Sequence, residues 1–176
     1  MKKITLGIYS LIFLLIAGCS SVPVSEEAIT KSTQNERVIS VLNDLIQVDI
    51  DTYHTYTQAI QALSSSQLTQ TLKAFREEHE QHIKVLSKIV LVRGGIPPEF
   101  SRDFKGYVIS GYTAIKVKGS VYSIFQAMES NEALSVIYHN DALKVDLPSD
   151  VKRIIQMHCE TEKSHLSRIA EMKKQV

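Results

Sequence analysis

Four stretches of this chain repeat apolar residues at steps of three and four, and each repeat breaks near mid-length on an acid or a histidine. Such a period is that of an α-helix with one buried face. The first stretch, about Asn35 to Leu63, carries Val38, Leu42, Leu45, Ile46, Tyr56, Ala59, Ile60 and Leu63. The second, about Gln67 to Val92, carries Leu68, Leu72, Phe75, Leu86 and Ile89. The third runs from about Ser120 to Lys144, the fourth from about Val151 to Lys174. Ser64-Ser65-Ser66 separates the first two, Gly94-Gly95-Ile96-Pro97-Pro98 ends the second, and Leu147-Pro148-Ser149-Asp150 separates the last two. Serine and aspartate cap helix starts, glycine suits helix ends, and proline cannot continue a helix. Phe104 to Lys118 holds Gly106 and Gly111 among β-branched residues and is read as a short additional helix. The expected fold is all-α: a four-helix bundle with a short helix between helices 2 and 3.

The breaks in the stripes carry the functional information. Helix 1 steps through Leu42, Leu45, Asp49, Thr52, Tyr56, Ala59 and Leu63. Helix 2 steps through Leu68, Leu72, Phe75, His79, His82, Leu86 and Ile89. Helix 3 steps through Val121, Phe125, Met128, Glu132, Ser135, His139 and Ala142, with Glu129 on the flank. Helix 4 steps through Val151, Ile155, His158, Glu162, His165, Ile169 and Met172. A carboxylate or imidazole in a core is costly without a partner, and a metal ion satisfies several at once. Steps of three or four aim two side chains of one helix at one point. The candidate ligands are Asp49, His79, His82, Glu129, Glu132, His158, Glu162 and His165. The competing reading is a buried polar network that only specifies how the helices pair.

Other polar residues are assigned to surface or core. Asp51 and His54 fall off the stripe and are expected to face solvent, as are Glu77, Glu78 and Glu80. His139 and Tyr138 are expected at the boundary of the core. Cys159 reads as a small buried hydrophobe. Tyr53 and Tyr56 read as core aromatics, with a hydrogen bond to a ligand as the sharper alternative.

The N-terminus, MKKITLGIYSLIFLLIAGCSS, places two lysines before an apolar run that closes on small residues. That is the layout of a secretory signal peptide, and the run is short for a membrane span. Ile16-Ala17-Gly18-Cys19 resembles the bacterial lipobox, which implies cleavage after residue 18 and lipidation of Cys19. The expected division is 1–18 signal peptide, 19–33 lipidated Cys and flexible tether, and 34–176 bundle. Ser20, rather than Asp, implies sorting of such a lipoprotein to the outer membrane, facing the periplasm. Cleavage removes Lys2 and Lys3, so a net charge of +1 becomes −1. This balance, with no basic stripe, gives no reason to expect nucleic acid as a partner. Cys159 then has no cysteine left to pair with. A homo-oligomer is allowed by the pattern but not required by it.

The polar seam resembles that of bacterial ferritin-like proteins, which place an acid on helices one and three and Glu-x-x-His on helices two and four. Glu162-Lys163-Ser164-His165 matches the helix-four motif. His79-Glu80-Gln81-His82 falls at the helix-two motif with His in place of its Glu. Asp49, seven residues before Tyr56, resembles the helix-one acid, and Glu132 or Glu129 the helix-three acid. LNDLIQVDIDTY, RGGIPP and YHNDALKVDLPSDVKRIIQMH are similar to the uncharacterised ferritin-like family DUF2383 over most of residues 38–172. The resemblance implies a ferritin-like bundle with a transition metal (Fe, Zn or Cu), as one ion or two. It implies Asp49, His82, Glu132, Glu162 and His165 as ligands, with His79 and His158 as further candidates. Metal binding or oxidative-stress protection would be the role, against a structural envelope module with a degenerate site. The seam has more imidazole and less carboxylate than a full di-iron carboxylate site. No G-x-S-x-G elbow, phosphate-cradling glycine loop or strand–helix alternation points to a hydrolase.

Overall fold

A computed structural model describes residues 26–101 and 120–176. The segment expected to be a signal peptide, Cys19 and the short helix expected at Phe104 to Lys118 lie outside the described residues. Four helices make the fold: α1 (Glu26–Ala62), α2 (Ser66–Val92), α3 (Val121–Lys144) and α4 (Ser149–Lys173). Ser65 caps α2 by accepting from the Leu68 backbone N–H, and Ser120 caps α3 by accepting from that of Ser123. The start of α4 differs from expectation, because Pro148 stands at the cap with no side-chain hydrogen bond there.

Helix α1 starts earlier than its apolar stripe. Residues 26–33, expected as part of the tether, are helical. Glu26 and Glu27 sit in the first turn, where acids favour the positive helix end. Thr30 Oγ1 donates to the Glu26 carbonyl at 2.9 Å. Extending a helix already nucleated further along needs little apolar burial.

Two apolar clusters fill the bundle, one towards each end. One joins Val38, Leu42, Leu45, Ile46 and Ile50 of α1 to Ile83, Leu86 and Val90 of α2, Ala142 of α3, and Val151 and Ile155 of α4. The other joins Tyr56, Ala59 and Leu63 to Leu72, to Ile124, Phe125 and Met128, and to Ile169 and Met172. The membership fixes the topology. α1 and α4 run one way, α2 and α3 run against them, and α2 ends at the opposite end of the bundle from where α3 begins. α1 packs on α2, α3 on α4 and α1 on α3, while the α2 and α4 backbones keep further apart.

Helix α1 is covered on more than one face. Every residue from Val48 to His54 is buried, so Asp51 and His54 do not face solvent as expected. The stretch after α2 accounts for part of this cover. Asn43 Nδ2 donates to the Ile96 carbonyl at 3.0 Å, and the Phe100 ring meets Tyr53 edge-on at 5.0 Å. Burial pushes the Asp51 carboxyl up to about 6, against a hydrogen bond from Gln47. Glu80 is likewise buried rather than solvated, 2.7 Å from Lys84. Glu77 and Glu78 are exposed as expected, Tyr138 is exposed rather than at the boundary of the core, and Cys159 is buried as expected. His139 is fully buried, not at the boundary, because it continues the inward stripe one turn after Ser135.

Gly94 closes α2 at φ 79°, the left-handed region that suits glycine. Gly95 has a different constraint. A Cβ there would lie 2.7 Å from Ile39 Cγ2 and 2.9 Å from Val90 Cγ1, both packed side chains. Gly95→Ala is expected to cost about 1–3 kcal/mol by overpacking this junction, measured by urea denaturation at neutral pH.

Candidate metal centre

Between the two apolar clusters lies a belt of buried polar residues supplied by all four helices. α1 contributes Asp49, α2 His79 and His82, α3 Glu132, and α4 Glu162 and His165. Each follows from its stripe: the residue sits at an inward position where leucine or phenylalanine stands one or two turns away. Two overlapping groups result. Asp49, His79, His82 and Glu162 offer ligand atoms within 4.8 Å of one another, and so do His79, Glu132, Glu162 and His165. His79 and Glu162 belong to both.

The distances place His79 at the centre. Its Nδ1 lies 2.9 Å from Asp49 Oδ1, and its Nε2 lies 3.2 Å from Glu132 Oε1 and 3.4 Å from Glu162 Oε2. His82 Nδ1 lies 2.9 Å from Glu162 Oε1 and 3.7 Å from Asp49 Oδ1. His165 Nδ1 lies 3.6 Å from Glu132 Oε1, while its Nε2 meets Glu78 Oε2 at 2.5 Å. The Phe75 ring stacks on His165 at 4.1 Å. The Tyr56 hydroxyl donates to Glu132 Oε1, so the hydrogen-bonding alternative for Tyr56 holds.

The protonation states follow from this crowding. Burial opposes charge on His79, but Glu162, Glu132 and Asp49 together outweigh it and hold the imidazolium well above the ordinary histidine range. Burial also opposes charge on His82, yet Asp49 and Glu162 push it up to about 9. Burial would raise Asp49 and Glu132; the imidazoles win and hold both below the usual carboxylate range. Glu162 goes the other way: burial raises it, only partly offset by His79 and His82. Burial and the adjacent His82 bring His158 down to about 3, so it is neutral.

The fit to a metal rests on what these hydrogen bonds leave over. Both carboxylate oxygens of Glu162 are buried without a hydrogen-bond partner. Asp49 Oδ2, Glu132 Oε2, His82 Nδ1 and His165 Nδ1 are in the same condition. The 2.9 Å approach of His82 Nδ1 to Glu162 thus lacks the alignment of a hydrogen bond. Orphaned buried acceptors are rare in folded proteins. Three carboxylates and three imidazoles converging on shared points are a nitrogen–oxygen donor set suited to first-row transition ions.

Two expected candidates lie outside both groups. Glu129 forms an ion pair with Lys173, which reaches it from α4. His158 stacks on His82 with ring centres 3.8 Å apart. Two residues near the belt are not among the sequence candidates: Glu78, expected to face solvent, and His139, which lies on the helix 3 stripe but is expected at the boundary of the core. Glu78 holds His165 from the surface side, and His139 packs near His158 and His82. A half-exposed Glu beside the helix-two histidines carries no sequence signal of that partnership.

The fold recurs in solved structures. A conserved hypothetical protein from Mycobacterium tuberculosis, Rv2844, superposes with a TM-score of 0.65 at 13% identity, covering 80% of this chain and 97% of its own. Dps from Thermosynechococcus elongatus superposes with a TM-score of 0.65 at 17% identity, covering 81% of this chain and 94% of its own. At these identities the likeness is one of fold: a ferritin-like four-helix bundle. No curated protein matches the sequence. The family described as Domain of unknown function (DUF2383) matches residues 37–145, and this chain belongs to that family.

Proposed function

We propose that this chain is a lipid-anchored ferritin-like protein of the bacterial envelope, facing the periplasm from the outer membrane. Its core holds a transition metal for metal binding or oxidative-stress protection. The observation that carries the metal reading is Glu162, whose two buried carboxylate oxygens have no hydrogen-bond partner amid imidazoles from α2 and α4. Asp49, His82 and Glu162 would hold an ion on one side, Glu132, Glu162 and His165 on the other, with His79 between them. A transition ion bound there would supply Lewis acidity and, for iron or copper, redox capacity. The chain's own residues exclude water from the belt through the apolar clusters above and below it. Tyr56 fixes Glu132, and Glu78 orients His165, as partners behind a ligand do.

The anchor reading rests on the N-terminal charge, apolar run and Ile16-Ala17-Gly18-Cys19. No described helix is long and apolar enough to cross a membrane. Cys19→Ser is therefore expected to abolish incorporation of labelled palmitate and to move the protein from the membrane pellet to the soluble fraction. Retention of the variant in the pellet without acylation would contradict a lipid anchor.

One observation favours a second reading, a structural module with a degenerate site. His79 bonds Asp49 through Nδ1 and Glu132 through Nε2, so its imidazolium closes part of the belt without an ion. Metal analysis separates the two. The full chain, purified without chelators and reconstituted with Fe(II), Zn(II) or Cu(II), is expected to retain metal after gel filtration. A protein that retains none and melts at the same temperature with and without metal is a structural module.

A further inference from the structure

His139 and His158 are two buried imidazoles that the belt does not use. His139 lies on α3 and His158 on α4, with ring centres 6.5 Å and 3.8 Å from that of His82. His139 Nδ1 lies 2.9 Å from the Ser135 backbone carbonyl. A carbonyl only accepts, so Nδ1 carries the proton and Nε2 presents its lone pair. That Nε2 is buried with no hydrogen-bond partner. A ring fixed by N–H donation to a backbone carbonyl, with the other nitrogen free, is how metal-bound histidines are oriented. The Nδ1 of His158 is also buried and without a partner. The two rings lie 6.3 Å apart at 63°.

Their position adds a direction. His82 and His158 each keep 7% of their surface exposed, whereas Asp49, His79, Glu132 and Glu162 keep none. This stacked pair therefore bridges α2 and α4 at the rim of the belt, along the seam where those backbones lie further apart. Parallel rings 3.8 Å apart send their nitrogens side by side. They suit an ion held first on His158 and then on His82, rather than by both together.

We propose that His139 and His158 form a second, imidazole-only binding place for a borderline divalent transition cation, beside His82. Neutral nitrogen ligands favour Cu(II), Zn(II), Ni(II) or Co(II) over the hard ions Mg(II) and Ca(II). The pair stands independently of the carboxylate belt in its ligands and delivers to it through His82, a step that rests on the belt reading above.

The test uses Cu(II) alone on the full chain. In Asp49→Asn combined with Glu132→Gln and Glu162→Gln, which neutralises the three belt carboxylates with side chains of similar shape, one Cu(II) equivalent with imidazole couplings in pulsed EPR is expected. Adding His158→Gln or His139→Asn is expected to remove that signal and weaken binding at least tenfold. Circular dichroism checks that each variant keeps its helices, and His158→Gln, at the rim, serves if His139→Asn does not fold. Imidazole couplings unchanged by both histidine variants, or absent from the belt-neutralised protein, overturn the proposal. A different result sinks the belt reading alone: wild type and belt-neutralised protein holding the same number of ions, all lost on His158→Gln.

Discussion

Glu162→Ala combined with His165→Ala is expected to remove transition-metal retention from the purified protein while leaving the bundle folded. Wild-type protein binding an ion in its belt gains stability on loading. With free metal at about 1,000 times Kd the gain is about 4 kcal/mol, or on the order of 10 °C in Tm for a domain of this size. The double variant removes the only α4 residues in the two ligand groups, one of which, Glu162, is shared by both. Its affinity is expected to fall more than about 100-fold, beyond the loss usual for residues one step behind a ligand. The metal-dependent rise in Tm should vanish with it. The apo double variant should stay folded, because Glu162 makes no hydrogen bond that its loss would break and His165 gives up only its bond to the half-exposed Glu78. Mass spectrometry of the retained metal and thermal melts with and without metal check both parts. A double variant that still shows the full metal-induced rise would place the ion elsewhere.

His79→Ala is expected to have the largest effect on the metal-free protein. The imidazolium of His79 stands between Asp49 and Glu132 and within 3.4 Å of Glu162, all fully buried. Taking one partner from a buried charge network leaves uncompensated charge, at a cost of roughly 3–5 kcal/mol. The pH dependence distinguishes this from a simple cavity. In the wild type, Asp49 and Glu132 titrate below their ordinary values. Their contribution is present above the unfolded carboxylate range near pH 4 and is lost as pH falls through the folded values. His79 and His82 titrate above theirs, so their contribution is full below about pH 6.5 and declines as pH rises through the folded values, about 9 for His82. The combined contribution of these four groups should therefore be largest between about pH 4.5 and 6.5. In His79→Ala the buried carboxylates lose one of the two imidazoles that lower each of them, so burial weighs more and their values rise, although His82 still faces Asp49 and His165 still faces Glu132. The deficit should then be largest near pH 8 and shrink towards pH 4.5 as they take up protons. Urea denaturation across that range measures it; a deficit constant with pH would mean that only packing was lost.

The helices and the level of the belt were legible because both depend on local spacing. Steps of three and four put Asp49, His79, His82, Glu132, Glu162 and His165 on inward faces, and mid-helix placement put them between the apolar clusters. The unread parts depend on contacts distant in sequence. Asp51 and His54 are off the stripe, and cover from around Phe100 buries that second face of α1. Glu129 and Glu132 are one turn apart and equally suitable by spacing. Lys173 takes Glu129 and the belt takes Glu132, a choice made by the facing helix. The start of α1 was misplaced because an exposed helical extension has no apolar period to read.

The most direct test of the account is the position of the ion itself. Crystals of the full chain loaded with Fe(II), Zn(II) or Cu(II), measured at the absorption edge of the metal, should show an anomalous peak between the two apolar clusters. The account predicts that peak at bonding distance, about 2.0–2.2 Å, from a Glu162 oxygen and from at least one belt imidazole. Density confined to the protein surface, with the belt closed around a protonated His79 at full metal loading, would contradict it.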